Sequence, residues 1–162
     1  MLRIAICDDM ADELQILLSL TNQYISTNHL DVDVKEFTHP DQLLTAIIIE
    51  SFHLYILDVV MPMISGLELG KEIRRLDQEA QIIFVTTEPQ FALQAYAANP
   101  INYLIKPIQR QQFFDTLTLV VSKADFAEEK TFAVKTAEGL RVIRLRDIIC
   151  CEYRCHAVIF SL

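Results

Sequence analysis

The sequence predicts an α/β fold in which a five-stranded parallel sheet is doubly wound, with helices on both faces, followed by a short all-β segment. Two observations carry this reading. Over residues 1–122, short apolar runs suited to buried strands alternate with stretches whose apolar residues recur at helical spacing, and such alternation builds parallel sheets buried on both sides. From residue 131 onward, β-prone runs follow one another with no helical stretch between them.

The elements follow in order. "LRIAIC" (2–7) is the first strand, and Leu14, Leu17, Leu18, Thr21, Tyr24 and Ile25 have the spacing of the first helix. "VDVKEF" (32–37) is the second strand, and Pro40-Asp41 ahead of "QLLTAIII" marks the second helix start. "LYILD" (54–58) is the third strand. Ser65-Gly66-Leu67-Glu68 then places a Ser cap three residues before a Glu, opening a helix that carries Leu67, Leu69, Ile73 and Leu76. "IIFVT" (82–86) and "INYLI" (101–105) are strands four and five, separated by helical spacing at Phe91, Leu93 and Tyr96. After Pro107, residues Phe113, Phe114, Leu117, Val120 and Val121 signal the fifth helix. "KADFAEEK" (123–130) has the character of a helix end or linker. In the remaining 131–162, Glu138-Gly139 sits between two alternating runs as in a hairpin, and "HAVIF" is a further strand.

Bulk composition narrows the function classes. The chain has 162 residues, room for one well-cored domain and part of a second. Although 52% of residues are hydrophobic, no apolar run nears the roughly 20 residues a membrane span needs, and the N-terminus lacks a secretory signal. Cytoplasmic location and no membrane partner are the expectation. The four cysteines form no paired framework, so reduced thiols are expected. Residues 1–122 carry 16 acidic against 7 basic side chains, whereas residues 123–162 carry 6 against 7. The long acidic part is therefore a poor nucleic-acid surface by itself.

In a doubly wound sheet, ligands bind beyond the carboxyl ends of the strands. Strand one ends in Asp8-Asp9, strand three in Asp58, strand four in Thr86-Thr87, and strand five in Lys106-Pro107. Three carboxylates on one edge repel one another unless a cation neutralises them, and oxygen-only donors favour Mg²⁺. An Asp at a strand mouth can act as nucleophile and form an acyl phosphate. Lys106 can then pair with phosphoryl oxygens while the Thr86 hydroxyl donates to another. Taken singly, each residue has a plainer role: Asp8-Asp9 as a helix cap, Asp58 as a turn residue, Thr86 as an ordinary strand residue, Lys106 as a surface lysine. Their convergence on one edge favours phosphoryl transfer onto Asp58.

At these motifs, "ICDD", "LYILDVVMPMISGLEL", "FVTTE" and "YLIKPI", the chain resembles the receiver domain of two-component response regulators, with its flavodoxin-like (βα)5 fold. The resemblance covers residues 1–122. It implies Asp58 as phosphoacceptor, Asp9 and Asp58 as direct Mg²⁺ ligands, Asp8 through water, and the Val60 carbonyl as a further ligand. It implies Thr86 as the switch hydroxyl, Tyr103 as the switch aromatic, Lys106 as the phosphate-pairing lysine, and a cis bond before Pro107. Val59 and Thr87 complete the set as cofactor-binding positions. Thr87 stands where the family has a small residue, and the apolar Val60 cannot orient an attacking water, so slow self-dephosphorylation is expected. The implied partner is a sensor histidine kinase, and the implied output is homodimerisation on phosphorylation. The chain is thus expected to be a switch with at most slow self-catalysed phosphorylation and dephosphorylation, not an enzyme.

Residues 131–162, with "GLRVIRLRDIICCEYRCHAVIF", resemble the start of a LytTR-type DNA-binding domain. The segment covers only the N-terminal part of such a domain, so a truncated domain is expected, and DNA binding is assigned to the full-length protein rather than to this chain. Its strand edges are expected to pair with another chain or to fold back on the receiver. Cys150, Cys151, Cys155 and His156 offer zinc-type donors, but adjacent Cys150 and Cys151 would point to opposite faces of a strand. A phosphatase of the haloacid dehalogenase type would need an acid two residues past its nucleophile, where Val60 and Met10 stand. A single-domain receiver acting by protein contact alone is the third alternative.

Overall fold

The computed structural model describes residues 1–128, 131–136, 139–144, 150–154 and 157–161. The chain divides into two compact units, Met1–Val120 and Val121–Leu162. In the first, β1 (Leu2–Cys7), β2 (Val32–Phe37), β3 (Leu54–Asp58), β4 (Gln81–Thr86) and β5 (Asn102–Ile105) form one sheet in the order β2-β1-β3-β4-β5. All four pairings are parallel. The strand order reverses between β1 and β3, which puts the ends of those two strands side by side.

Burial explains why these runs are strands. Every residue of β3 is buried, as are the last four of β1 and the last five of β4, so their sequences read as continuous apolar runs rather than alternating ones. The edge strand β2 is only partly buried, and its Asp33, Lys35 and Glu36 discourage pairing with a foreign strand. Lys35 also reaches Glu50 at 2.7 Å.

Four helices match the sequence signals: α1 (Ala11–Asn28), α2 (Pro40–Ile49), α3 (Gly66–Leu76) and α5 (Arg110–Glu128). In α1 the stripe Leu14, Leu17, Thr21 and Tyr24 is buried. α3 opens with the capping box read from Ser65 and Glu68, both reciprocal hydrogen bonds being present. α5 continues through residues 123–128.

The helix signalled by Phe91, Leu93 and Tyr96 is present but short, and of these three residues Phe91 packs against the core. Only α4 (Ala92–Ala95) is α-helical, flanked by 3-10 turns at Pro89–Phe91 and Tyr96–Ala98. Leu93 and Tyr96 are 87% and 81% exposed, while Ala95 and Ala98 are buried. The small residues win because the neighbouring surface is close: a Cβ placed on Gly70 would sit 3.2 Å from Ala98 Cβ and 2.7 Å from Phe84 Cζ. No side-chain cap holds the start of α4, and Asn99 closes the segment in the left-handed region at φ 46°.

In the second unit, β6 (Thr131–Thr136) pairs antiparallel with β7 (Gly139–Arg144), Thr136 opposite Gly139. Gly139 sits at φ 130°, which glycine alone adopts readily. β8 (Cys150–Arg154) pairs antiparallel with β9 (Ala157–Ser161). Cys150 and Cys151 are successive β8 residues opposite Ser161 and Phe160; Cys155 and His156 lie outside the described residues. Among the described residues, no helix is long and apolar enough to cross a membrane.

Candidate functional site

The carboxyl ends of β1 and β3 bring Asp8, Asp9 and Asp58 together. One carboxylate oxygen from each lies within 4.8 Å of the others. Asp8 is fully buried and Asp58 is 5% exposed. Their neighbour is Lys106, from the end of β5, whose Nζ lies 2.7 Å from Asp8 Oδ2 and 3.6 Å from Asp58 Oδ1. These four residues are the part of the expected set that the fold gathers at one sheet edge, Lys106 pairing with Asp8 and Asp58.

Asp8 does two jobs. Its Oδ2 accepts from Lys106, and its Oδ1 accepts from the Met10 amide at 2.9 Å. The Asp8 bond to the Met10 amide lies ahead of α1, whose N-cap is Met10 without a side-chain bond, so neither aspartate caps the helix. Asp9 Oδ1 is buried with no hydrogen-bond partner among the described residues. An unsatisfied buried carboxylate oxygen is costly, and with the oxygens of Asp8 and Asp58 it forms a donor set that suits a divalent cation of the Mg²⁺ type.

Electrostatics follow the same geometry. Burial raises the Asp58 carboxyl to about 6; Lys106 and the Val59 and Val60 amides oppose the rise, and Asp8 adds to it. Burial works against charge on Lys106, yet its hydrogen bond to Asp8 and the fields of Asp58, Asp8 and Glu13 leave its pKa above the ordinary lysine value. Under the site, burial pushes the Cys7 thiol up to about 12, aided by Asp8, Asp58 and Asp9. Cys7 therefore stays a protonated core residue, its Sγ 3.6 Å from Met61 Sδ.

The loop after β3 must come close. A Cβ on Gly66 would lie 1.8 Å from the Asp58 carbonyl oxygen, and the Gly66 amide donates to the Val59 carbonyl at 3.0 Å. Glycine is required here by space. Val59 is buried, whereas Val60 is 51% exposed beside Asp58.

Thr86, at the end of β4, is fully buried, and Thr87 is exposed. Thr86 Oγ1 accepts from the Glu88 amide at 3.2 Å. Tyr103 is half-buried, packs its ring 6.2 Å from that of Phe84, and donates its hydroxyl to the Glu88 carbonyl at 2.6 Å. Tyr103 thus joins the site through Glu88. The Lys106-Pro107 bond is cis.

Three participants were not singled out from the sequence. Glu13 brings Oε2 to 3.8 Å from Lys106 Nζ; its place one helical turn past Asp9 was the available signal. Gly66 was read only as part of a helix start. Glu88 acts through its backbone, so its side-chain type carried no signal.

The family model "Response regulator receiver domain" matches residues 4–118. Among curated proteins, the chain is 28% identical over 120 residues to sensory transduction protein LytR of Staphylococcus epidermidis, covering 74% of this chain and 43% of that protein. It is 26% identical over 161 residues to sensory transduction protein LytT of Bacillus subtilis, covering 92% of this chain and 64% of that protein. The chain therefore spans about half to two thirds of the length of these relatives. Among solved structures, the response regulatory domain of protein mrkE from Klebsiella pneumoniae superposes with a TM-score of 0.69 at 20% identity, covering 77% of this chain and 99% of that one. The response regulator TrrA from Thermotoga maritima, in complex with Mg²⁺-BeF, superposes with a TM-score of 0.64 at 24% identity, covering 74% and 99%.

Proposed function

The chain belongs to the response regulator receiver family, and we propose that within it Asp58 accepts a phosphoryl group from the phosphohistidine of a sensor histidine kinase, in a Mg²⁺-dependent reaction. The observation that carries this reading is the meeting of Asp8, Asp9, Asp58 and Lys106, with an unsatisfied oxygen on Asp9. Asp8, Asp9, Asp58 and the Val60 carbonyl would hold the ion, which neutralises phosphoryl oxygens when bound. An Asp58 oxygen forms the new bond to phosphorus as the phosphorus–nitrogen bond of the donor breaks and the imidazole departs. Lys106, already 3.6 Å from Asp58 Oδ1, is placed to pair with the transferred group, whose added charge is about −2. Val59 and Thr87 border it.

The charge then acts on a two-state element. Thr86 turns its hydroxyl toward the phosphoryl group and leaves the Glu88 amide. Tyr103 follows Glu88, which changes the surface around α4, β5 and α5 and favours a homodimer. Residues 131–162 are read as the first part of a LytTR-type output module. Their β-pattern and the 161-residue match to LytT support this. Through that module the full-length protein would bind DNA and regulate transcription in the cytoplasm.

The test is covalent labelling. Incubation with acetyl phosphate and Mg²⁺ should add one phosphoryl group, labile to alkali, and a chelator present from the start should prevent its addition. Asp58→Asn should abolish it. Labelling that persists in that variant would remove Asp58 from the role.

A further inference from the structure

Arg74, at the end of α3, makes contacts that the phosphoacceptor site does not use. Its Nε donates to the Ala98 carbonyl at 3.0 Å and its Nη2 to the Asn99 carbonyl at 3.2 Å. Its Nη1 donates to the Asp77 carbonyl at 3.4 Å and also to that of Gln78. One half-buried guanidinium therefore ties four backbone carbonyls from two separate segments. Arg75, the next residue, pairs with Glu72 on the same helix. A planar fork with five donors can do this, whereas an ammonium cannot.

The segment it ties has little regular structure of its own, and Ala95, Ala98 and Phe91 are the residues that pack it on the core. Between Pro89 and Ala98 the chain has one α-helical turn flanked by 3-10 turns, with Leu93 and Tyr96 exposed to solvent. At its front, Glu88 is bonded to Thr86 and Tyr103. At its back, Ala98 sits against Gly70, and the carbonyls of Ala98 and Asn99 lie in the grip of Arg74. The two ends are thus held by different devices: one coupled to the switch hydroxyl, the other fixed to α3.

We propose that Arg74 is a positioning residue, the fixed pivot about which the Pro89–Asn99 segment turns when Thr86 engages the phosphoryl group; this rests on the switch reading above. With the back end anchored, a displacement of Glu88 swings Leu93 to a new orientation. Without the anchor the same displacement is dissipated as loosening along the whole segment, and the new surface is not defined.

Hydrogen exchange on the full chain tests this, using wild type, Arg74→Lys and Arg74→Ala, each with Mg²⁺ and with or without beryllofluoride as the phosphoryl surrogate. In wild type, beryllofluoride should change exchange at residues 88–93 and leave residues 96–99 unchanged. In Arg74→Ala, residues 96–99 should exchange about tenfold faster at rest, and the beryllofluoride response should spread through them. Arg74→Lys should fall between the two. Mg²⁺ affinity should match wild type in both variants, which shows that the acidic site is intact. If Arg74 only caps α3, its removal will speed exchange near residues 73–78 and leave the beryllofluoride response confined to 88–93, which overturns the pivot alone. A wild type with no response to beryllofluoride overturns the switch reading, and the pivot with it.

Discussion

Tyr103 and Thr86 are linked through a single residue: the Tyr103 hydroxyl donates to the Glu88 carbonyl at 2.6 Å, and the Glu88 amide donates to Thr86 Oγ1 at 3.2 Å. Neither side chain can be repositioned without altering a bond to the same residue. Tyr103→Phe should therefore separate acceptance of the phosphoryl group from its consequence. Labelling of Asp58 should stay at the wild-type level, because the tyrosine hydroxyl does not touch the acidic cluster. The resting loop should lose one hydrogen bond, of about 1 kcal/mol. Amide chemical shifts at residues 88–93 report the outcome: their response to beryllofluoride should shrink. An undiminished response would mean that Glu88 does not carry the coupling.

Asp58 imposes a cost on the metal-free fold. Its carboxyl titrates near 6, above the roughly 3.9 of an unfolded chain. Between those values the folded chain binds the proton more tightly, so stability is highest at the acid end and falls as pH rises through the window. Two pH units correspond to about 3 kcal/mol as an upper bound. Asp58→Asn should therefore be more stable than wild type at pH 7 without Mg²⁺, with a flatter stability profile between pH 4 and 6. Urea titrations across pH measure this directly. A variant less stable than wild type at pH 7 would contradict it.

Lys106 is the counterweight. Asp8 is fully buried and relies on the 2.7 Å contact with Lys106 Nζ. Removing one partner of a buried pair leaves an uncompensated charge, at a cost of about 3 kcal/mol. Lys106→Ala should lower the urea midpoint accordingly, and millimolar Mg²⁺ should restore more stability to the variant than it adds to wild type. Equal Mg²⁺ effects on the two proteins would separate the lysine from the acidic cluster.

Much of this arrangement is legible in the sequence, for a definable reason. β3 is buried along its whole length, so its apolar run ends where the strand meets solvent, and Asp58 marks that point. The Ser65–Glu68 capping box is also local, set within four residues. The helical spacing after β4 holds for Phe91, which packs against the core, and misleads for Leu93 and Tyr96 because burial there is decided by a distant partner: Ala98 sits against Gly70. Arg74 and Glu88 stay hidden for a different reason. Their roles run through backbone carbonyls and amides, which any sequence supplies.

Gly66 provides a steric test of how the site is held. A methyl group there would stand 1.8 Å from the Asp58 carbonyl oxygen, so either the strand end or the start of α3 must move. Gly66→Ala should destabilise the fold by about 3 kcal/mol or more. It should also reduce Mg²⁺ affinity, because the displaced backbone carries the Asp58 side chain with it. Isothermal titration with Mg²⁺ gives the second readout. Unchanged affinity in a folded variant would show that the loop, not the strand, absorbs the shift.

Under the proposed phosphoryl transfer to Asp58, the residue at position 60 should set how long the acyl phosphate persists. It is 51% exposed beside the acceptor, and its side chain has no group that can hydrogen-bond a water molecule. Hydrolysis of the acyl phosphate requires water aligned on phosphorus, and alignment is the kind of assistance that positioned polar groups supply. The phosphorylated chain should therefore last many minutes or longer, and Val60→Gln should shorten its half-life several-fold without changing Mg²⁺ affinity. Decay of radiolabelled phosphoprotein measures both proteins under the same conditions. A wild-type half-life of seconds would show that water is aligned by some group other than the residue at position 60.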